Sequence, residues 1–173
     1  QNYNSSNGSF MKIIGINYFG HDSSSALVID GKVVSAVEEE RFSRIKHDGA
    51  FPEQSINYCL KNRKLSISDI DAVALTFIPE DWIKGNFLAY SQKFFPGSIP
   101  LLQSKIKRLQ LYLDFEGHVR KQLKYDGPLV FKQHHKCHFA SSYYLSGFAE
   151  SALMSMDGSG EYQTMLLGHG QGL

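Results

Sequence analysis

Cysteine is scarce in this chain. Cys59 and Cys137 are its two cysteines in 173 residues, too few for a disulfide framework and suited to a reducing, cytoplasmic compartment. Long apolar runs are missing as well: no stretch approaches the roughly 20 residues that span a bilayer. The polar N-terminus leads us to expect no signal peptide. Excess charge of either sign is also absent. With a net charge of +1, neither a nucleic acid nor a membrane surface has electrostatic support as a partner. There is no internal repeat, and low complexity is confined to the first ten residues. What is present is an ordinary globular mixture, 42% hydrophobic and 20% charged, with enough chain for one core or for part of a larger one.

The two ends differ from the middle. Residues 1–10, "QNYNSSNGSF", are rich in Asn, Ser and Gly and read as a tag or a disordered extension. Patterned sequence starts at Met11. At the other end, "SALMSMDGSGEYQTMLLGHGQGL" reads as strand, Gly-rich turn and strand, with nothing after it to cover the pair. Residues 11–173 are therefore expected to be part of a larger domain.

Between the ends, periodicity gives an order of elements. "MKIIGINYF" is an apolar, β-branched strand and "GHDSS" breaks it. "SALVIDG" and "KVVSAVEEE" follow as strands joined at Asp30-Gly31, a strong hairpin turn. The opening is thus a three-stranded antiparallel meander. A polar loop, 41–51, precedes Pro52, which suits the first turn of a helix with Ile56, Cys59 and Leu60 on one face. A strand is expected near 72–78. Helices follow across 82–125, with Ile106, Leu109, Leu113 and Phe115 on the apolar face of the last one. "GPLVFK" is a short strand, "HHKCHFASSYYLSGF" a helix, and the final two segments a hairpin. Strands alternating with helices after a meander predict an α/β fold, a mixed sheet with flanking helices.

Three stretches could carry chemistry. In "HHKCHFASS", His134 and His138 are four residues apart. On a helix that puts them on one face, with Cβ atoms about 6 Å apart. His135 and Cys137 point elsewhere. The spacing fits two ligands of one metal ion, and it fits an exposed polar helix start equally well. Asp157 ends the following strand before "GSG" and is the natural third ligand; it is also a common hairpin-turn residue. Two histidines and one carboxylate with open positions suit Fe(II) best and Zn(II) next.

The turns "FGHDSSS" and "DGSGE" are of the kind that offers backbone N–H groups and hydroxyls to phosphate. In the second, Gly158, Ser159 and Gly160 are the candidate nucleotide contacts. Placed on one sheet, the two turns would hold a nucleotide from both sides, although any hairpin needs glycine. His21 reads equally as an acid or base and as a turn residue. Downstream, Arg41, Arg44, Lys46 and His47 suit phosphate or carbamoyl oxygens, or form a solvated basic loop.

Together these segments resemble a family. "GINYFGHDSSSALVIDGKVVSAVEEERFSRIKHDGAFP", "HHKCHFASSYY" and "MSMDGSGE" resemble, in order and spacing, the N-terminal portion of the O-carbamoyltransferases of the nodulation-factor and antibiotic-tailoring type. Phe139 and Ser142 stand where that family usually has alanine. The resemblance implies a domain of the actin/Hsp70/sugar-kinase type, followed in the whole protein by a C-terminal adenylate-forming domain missing here. It implies that carbamoyl phosphate and ATP become carbamoyl-adenylate, and that the carbamoyl group passes to a hydroxyl of a small molecule. It implies an iron-type metal on His134, His138, Asp157 and a later aspartate. It makes His21 a candidate for substrate activation and puts Lys46 and His47 near the reaction centre.

Two other readings stay open. One is an ATP-dependent kinase of the same fold, which the HxxxH spacing disfavours because such an enzyme needs an acidic Mg²⁺ site. The other is a metal- or nucleotide-binding module without catalysis of its own.

Overall fold

The computed structural model describes residues 10–18 and 20–172. Apart from Phe10, the stretch read as an extension lies outside the described residues. The chain divides into two compact units: residues up to Thr76 with Val119–Val130, and Phe77–His118 with the residues from Phe131 on.

The first unit is built on β1 (Lys12–Asn17), β2 (Ser24–Ile29), β3 (Lys32–Glu38), β4 (Ala72–Leu75) and the first two residues of β5 (Leu129–Phe131), in the sheet order β3-β2-β1-β4-β5. The expected meander is there: β1 pairs with β2, and β2 with β3, antiparallel. Asp30 and Gly31 both take positive φ at the β2–β3 turn, 48° and 73°, as a two-residue hairpin loop of this twist requires. β4 then joins β1 in parallel, which makes the sheet mixed, as expected.

Side chains alternate along the strands. Ile14 and Ile16 of β1, Leu27 of β2, and Val73 and Leu75 of β4 are all buried. They lie in register, Ile14 opposite Leu27 and Val73, and Ile16 opposite Leu75. Each such side chain contributes about 1.5–3 kcal/mol by leaving water. A short helix α1 (Glu40–Ser43) follows β3 where the sequence reads as loop. Helix α2 (Glu53–Lys61) buries Ser55, Ile56, Cys59 and Leu60, the face that the spacing predicts.

The helical region departs from expectation. It consists of α3 (Pro79–Trp82), a π-helical stretch Ile83–Ala89, α4 (Tyr90–Lys93), α5 (Ile99–Leu113) and α6 (Phe115–Leu123). The single helix expected up to residue 125 is broken at Asp114, whose φ and ψ of −127° and 42° leave the helical region. Asp is a favoured residue immediately before a helix. The break turns the apolar face: Tyr112, Phe115 and Val119 are buried, whereas Ile106 and Leu113 are exposed. Trp82 packs edge-to-face on Tyr112, with ring centroids 4.7 Å apart.

The second unit also holds α7 (His134–Ser146) and a separate two-stranded sheet of β6 (Glu150–Met156) and β7 (Met165–Gln171), antiparallel. The turn after β1 and the turn after β6 therefore belong to different sheets. The expectation that both close on a nucleotide from one sheet is corrected, because β6 pairs with β7 alone among the described residues.

Candidate functional site

Helix α7 is fixed at both ends. Near its C-terminal end the Tyr143 hydroxyl donates to the carbonyls of Ala149, at 2.8 Å, and Gly172, at 3.2 Å. Tyr143 and Phe139 lie over β7 at its glycines. A Cβ on Gly170 would meet the Tyr143 ring at 2.6 Å, and one on Gly168 the Phe139 ring at 2.6 Å. The "GHG" of β7 is thus what lets the helix approach. Ser142, the other departure from the family's alanines, donates to the His138 carbonyl at 2.9 Å.

The N-terminus of α7 is held by a residue that the sequence reading passed over. Glu161 is fully buried. Its Oε1 accepts the backbone N–H of His134 at 3.0 Å and that of Ile78 at 3.0 Å. No side chain at the cap position does this work, since Gln133 makes no capping bond. A carboxylate there satisfies an orphan donor and favours the helix dipole. The signal in the sequence is an acid just after the "GSG" turn together with a helix start lacking Ser, Thr, Asp or Asn.

Held this way, α7 brings two of the candidate ligands together, and the end of β6 supplies the third. His134 Nε2 lies 2.7 Å from Asp157 Oδ2 and 3.0 Å from His138 Nε2, while His138 Nε2 lies 3.4 Å from the same oxygen. All three ligand atoms fall within 4.8 Å of one another. Asp157 is steadied by the Gly158 N–H, which donates to its Oδ1 at 2.6 Å, so that Oδ2 is left for the rings. The hydrogen bond from His134, with further ones from Gly158 and His138, lowers the Asp157 carboxyl to about 2.

The residues between the ligands are otherwise engaged. His135 is buried, its Nε2 donating to the Gln163 carbonyl at 2.9 Å and its Nδ1 paired with Ser155 Oγ at 2.7 Å. Burial first, then the charge of Glu161, pushes the Cys137 thiol up to about 11, which suits a structural thiol and not a ligand.

The second turn is less free than its composition suggests. The Gly160 N–H donates to the Gln163 carbonyl at 2.8 Å, and the Gly158 N–H is taken by Asp157. Ser159 Oγ donates to the Gly160 carbonyl at 3.1 Å. A phosphate at Gly158, Ser159 and Gly160 would have to exchange these bonds.

In the first unit, the loop after β1 and the loop after α1 dock on each other. The Ser23 N–H donates to the Asp48 carbonyl at 2.7 Å. A Cβ on Gly49 would lie 2.5 Å from the Gly20 carbonyl oxygen, a contact open to glycine alone. The docking brings His21 and His47 to one carboxylate. His21 Nδ1 lies 2.6 Å from Asp22 Oδ2 and His47 Nδ1 2.8 Å from Asp22 Oδ1. These two bonds, that of His21 first, hold the Asp22 carboxyl below its ordinary value. Glu40 joins by accepting the His47 backbone N–H at 3.0 Å. Lys46, between them, is exposed.

The carbamoyltransferase N-terminus family model matches residues 12–173. The chain belongs to that family. Among its relatives are an uncharacterized protein, sll1178, of Synechocystis sp., 37% identical over 92% of this chain, and the nodulation protein NolNO of Sinorhizobium fredii, 37% identical over 90% of it. The chain spans 27% of the first and 22% of the second, so it corresponds to about a quarter of these relatives' length. A solved structure, YeaZ from Pseudomonas aeruginosa, overlays 85% of this chain and 55% of its own with a TM-score of 0.46 and 13% identity, too loose a likeness to bear on the fold. Among the described residues, no helix is long and apolar enough to cross a membrane.

Proposed function

We propose that this chain forms part of an O-carbamoyltransferase that moves a carbamoyl group from carbamoyl-adenylate, made from carbamoyl phosphate and ATP, to a hydroxyl of a small molecule. The observation that carries the reading is the convergence of His134, His138 and Asp157 in a member of the carbamoyltransferase family. The sheet order β3-β2-β1-β4-β5, with a meander followed by a parallel strand, suits the actin/Hsp70/sugar-kinase type of domain. Free Cys59 and Cys137 suit a reducing, cytoplasmic compartment.

The three ligands fit a divalent metal. Two donors on one ion at about 2.0–2.1 Å sit about 2.9–3.4 Å apart for angles between square and tetrahedral. The two Nε2 atoms are 3.0 Å apart and the His138–Asp157 pair 3.4 Å, inside that range, while His134 Nε2 and Asp157 Oδ2, hydrogen-bonded at 2.7 Å, would part slightly to share an ion. The N₂O donor set favours Fe(II), then Zn(II). His134, His138 and Asp157 would hold such a metal, which would supply positive charge against a phosphate leaving group.

The chain's own groups take the remaining roles. The acceptor hydroxyl attacks the carbamoyl carbon while its proton passes to an imidazole, His21 or His47, provided that ring comes within hydrogen-bonding distance of it. Lys46, exposed and cationic, stabilises the developing oxyanion. Gly158, Ser159 and Gly160 are the nucleotide contacts of this reading, provided the turn opens its internal bonds.

The test is an assay with carbamoyl phosphate, ATP and a panel of hydroxylated acceptors, run on this chain and on a chain of the relatives' full length. Acceptor-dependent AMP release with a carbamoylated product is expected from the longer chain. ATP consumption that phosphorylates the acceptor instead would favour the kinase reading and overturn this one.

A further inference from the structure

Asp22 stands between two imidazoles and faces the same atom in each. Its Oδ2 meets His21 Nδ1 at 2.6 Å and its Oδ1 meets His47 Nδ1 at 2.8 Å. An ionised carboxylate only accepts hydrogen bonds, so both rings must donate through Nδ1. A neutral ring with its proton on Nδ1 has a bare Nε2.

The backbone is built to hold this arrangement. Asp22 and His47 both take left-handed conformations, with φ of 58° and 57°, which cost a non-glycine residue free energy and persist where the surroundings impose them. The surroundings are present. Asn17 donates to the Asp22 carbonyl at 3.2 Å, and Glu40 accepts the His47 N–H at 3.0 Å. Next to these bonds is the Gly20–Gly49 approach that a single Cβ would block.

We propose that Asp22 is a positioning residue that fixes both His21 and His47 as Nδ1–H tautomers, so that the docked loops offer two Nε2 acceptors for the proton of a substrate hydroxyl. This rests on the transferase reading above. In the step it serves, the acceptor O–H bond breaks and an Nε2–H bond forms. The oxygen bonds to the carbamoyl carbon, and the bond from that carbon to the phosphate oxygen breaks, its electron pair leaving with AMP. Asp22 stabilises the imidazolium that results. Side-chain exposures of 77% for His21 and 61% for His47 then let the proton leave to water.

The test needs no substrate, so it stands apart from the transferase reading. Long-range ¹H–¹⁵N NMR assigns the protonated nitrogen of each ring in the chain at about pH 8, above the usual imidazole range. Nδ1–H is expected for both His21 and His47. In Asp22→Asn the side chain offers one oxygen and one NH₂ group, so one ring keeps Nδ1–H and the other moves to Nε2–H. In Asp22→Gly both rings lose the preference. Asn and Gly both tolerate left-handed backbone, and an unchanged amide spectrum outside the two loops confirms the fold. Nε2–H on both rings of the unaltered chain, or rings indifferent to Asp22→Gly, would overturn the proposal. In a chain competent for transfer, Asp22→Asn should lower kcat with little change in KM, within the roughly 10²–10⁴-fold worth of a general base. A change in KM alone would also count against it.

Discussion

The Nε2 atoms of His134 and His138 lie 3.0 Å apart on successive turns of one helix, and Asp157 Oδ2 lies 2.7 Å from the first. Two nitrogens that close repel once both lone pairs face each other, so in the metal-free protein one of them must carry a proton. Metal and proton therefore compete for the same atoms. Titration with Fe(II) or Zn(II) should give one site per chain. Replacing His134, His138 or Asp157 by Ala should weaken it by more than the roughly 10–100-fold that outer-shell changes cost. Unchanged affinity in all three variants would remove the metal from this cluster.

Glu161 should matter to stability far more than its place in a turn suggests. Its buried carboxylate accepts the backbone N–H groups of Ile78 and His134. Glu161→Ala leaves both without that partner and should cost about 2–6 kcal/mol, taking about 1–3 for each abandoned part-buried group. Glu161→Gln keeps an accepting oxygen and should cost distinctly less. Denaturant midpoints of the two variants check the order.

The depressed Asp157 carboxyl makes a pH prediction. Its ordinary value is 3.8 and hydrogen bonding, that of His134 first, brings it to about 2 in the fold. The folded value lies below the unfolded one, so the stabilisation is fully present above about pH 4 and is lost as pH falls towards 2. In metal-free protein the stability gap between the unaltered chain and Asp157→Asn should be widest above pH 4 and shrink through that window. Thermal unfolding from pH 2 to 6 reads it. A gap that widens on acidification contradicts the assignment.

Gly170→Ala and Gly168→Ala should differ. Tyr143, which the first would strike, is anchored through its hydroxyl to two carbonyls and cannot swing away. Overpacking of this kind costs about 1–3 kcal/mol. No hydroxyl ties down Phe139, so Gly168→Ala should cost less. Equal melting temperatures for the two would show that Tyr143 yields as readily as Phe139.

His21→Asn, in a chain of the relatives' full length, should leave the protein folded and the adenylate forming, while transfer to the acceptor falls by roughly 10²–10⁴-fold and carbamoyl-adenylate accumulates. Wild-type transfer in that variant would pass the role of base to His47.

What the sequence determined by itself was local. Alternation of apolar residues set out β1, β2 and β3, Asp30-Gly31 marked the turn between two of them, and the spacing of Ile56, Cys59 and Leu60 named the buried face of α2. The approach of His134 and His138 was legible for the same reason, since four residues on one helix face leave little freedom. Tertiary structure decided whatever depended on a partner distant in sequence. The break at Asp114 moved burial from Ile106 and Leu113 to Tyr112 and Val119, because an apolar period names a stripe but not what covers it. Strand pairing put the two glycine turns in separate sheets, and pairing is not written in either strand alone. Glu161 became a helix cap across 27 residues, and Asp22 met His47 across 25. In both cases a short polar side chain acquired its role only when folding placed an unpaired donor beside it, a need that exists in the folded chain and nowhere in the sequence around it.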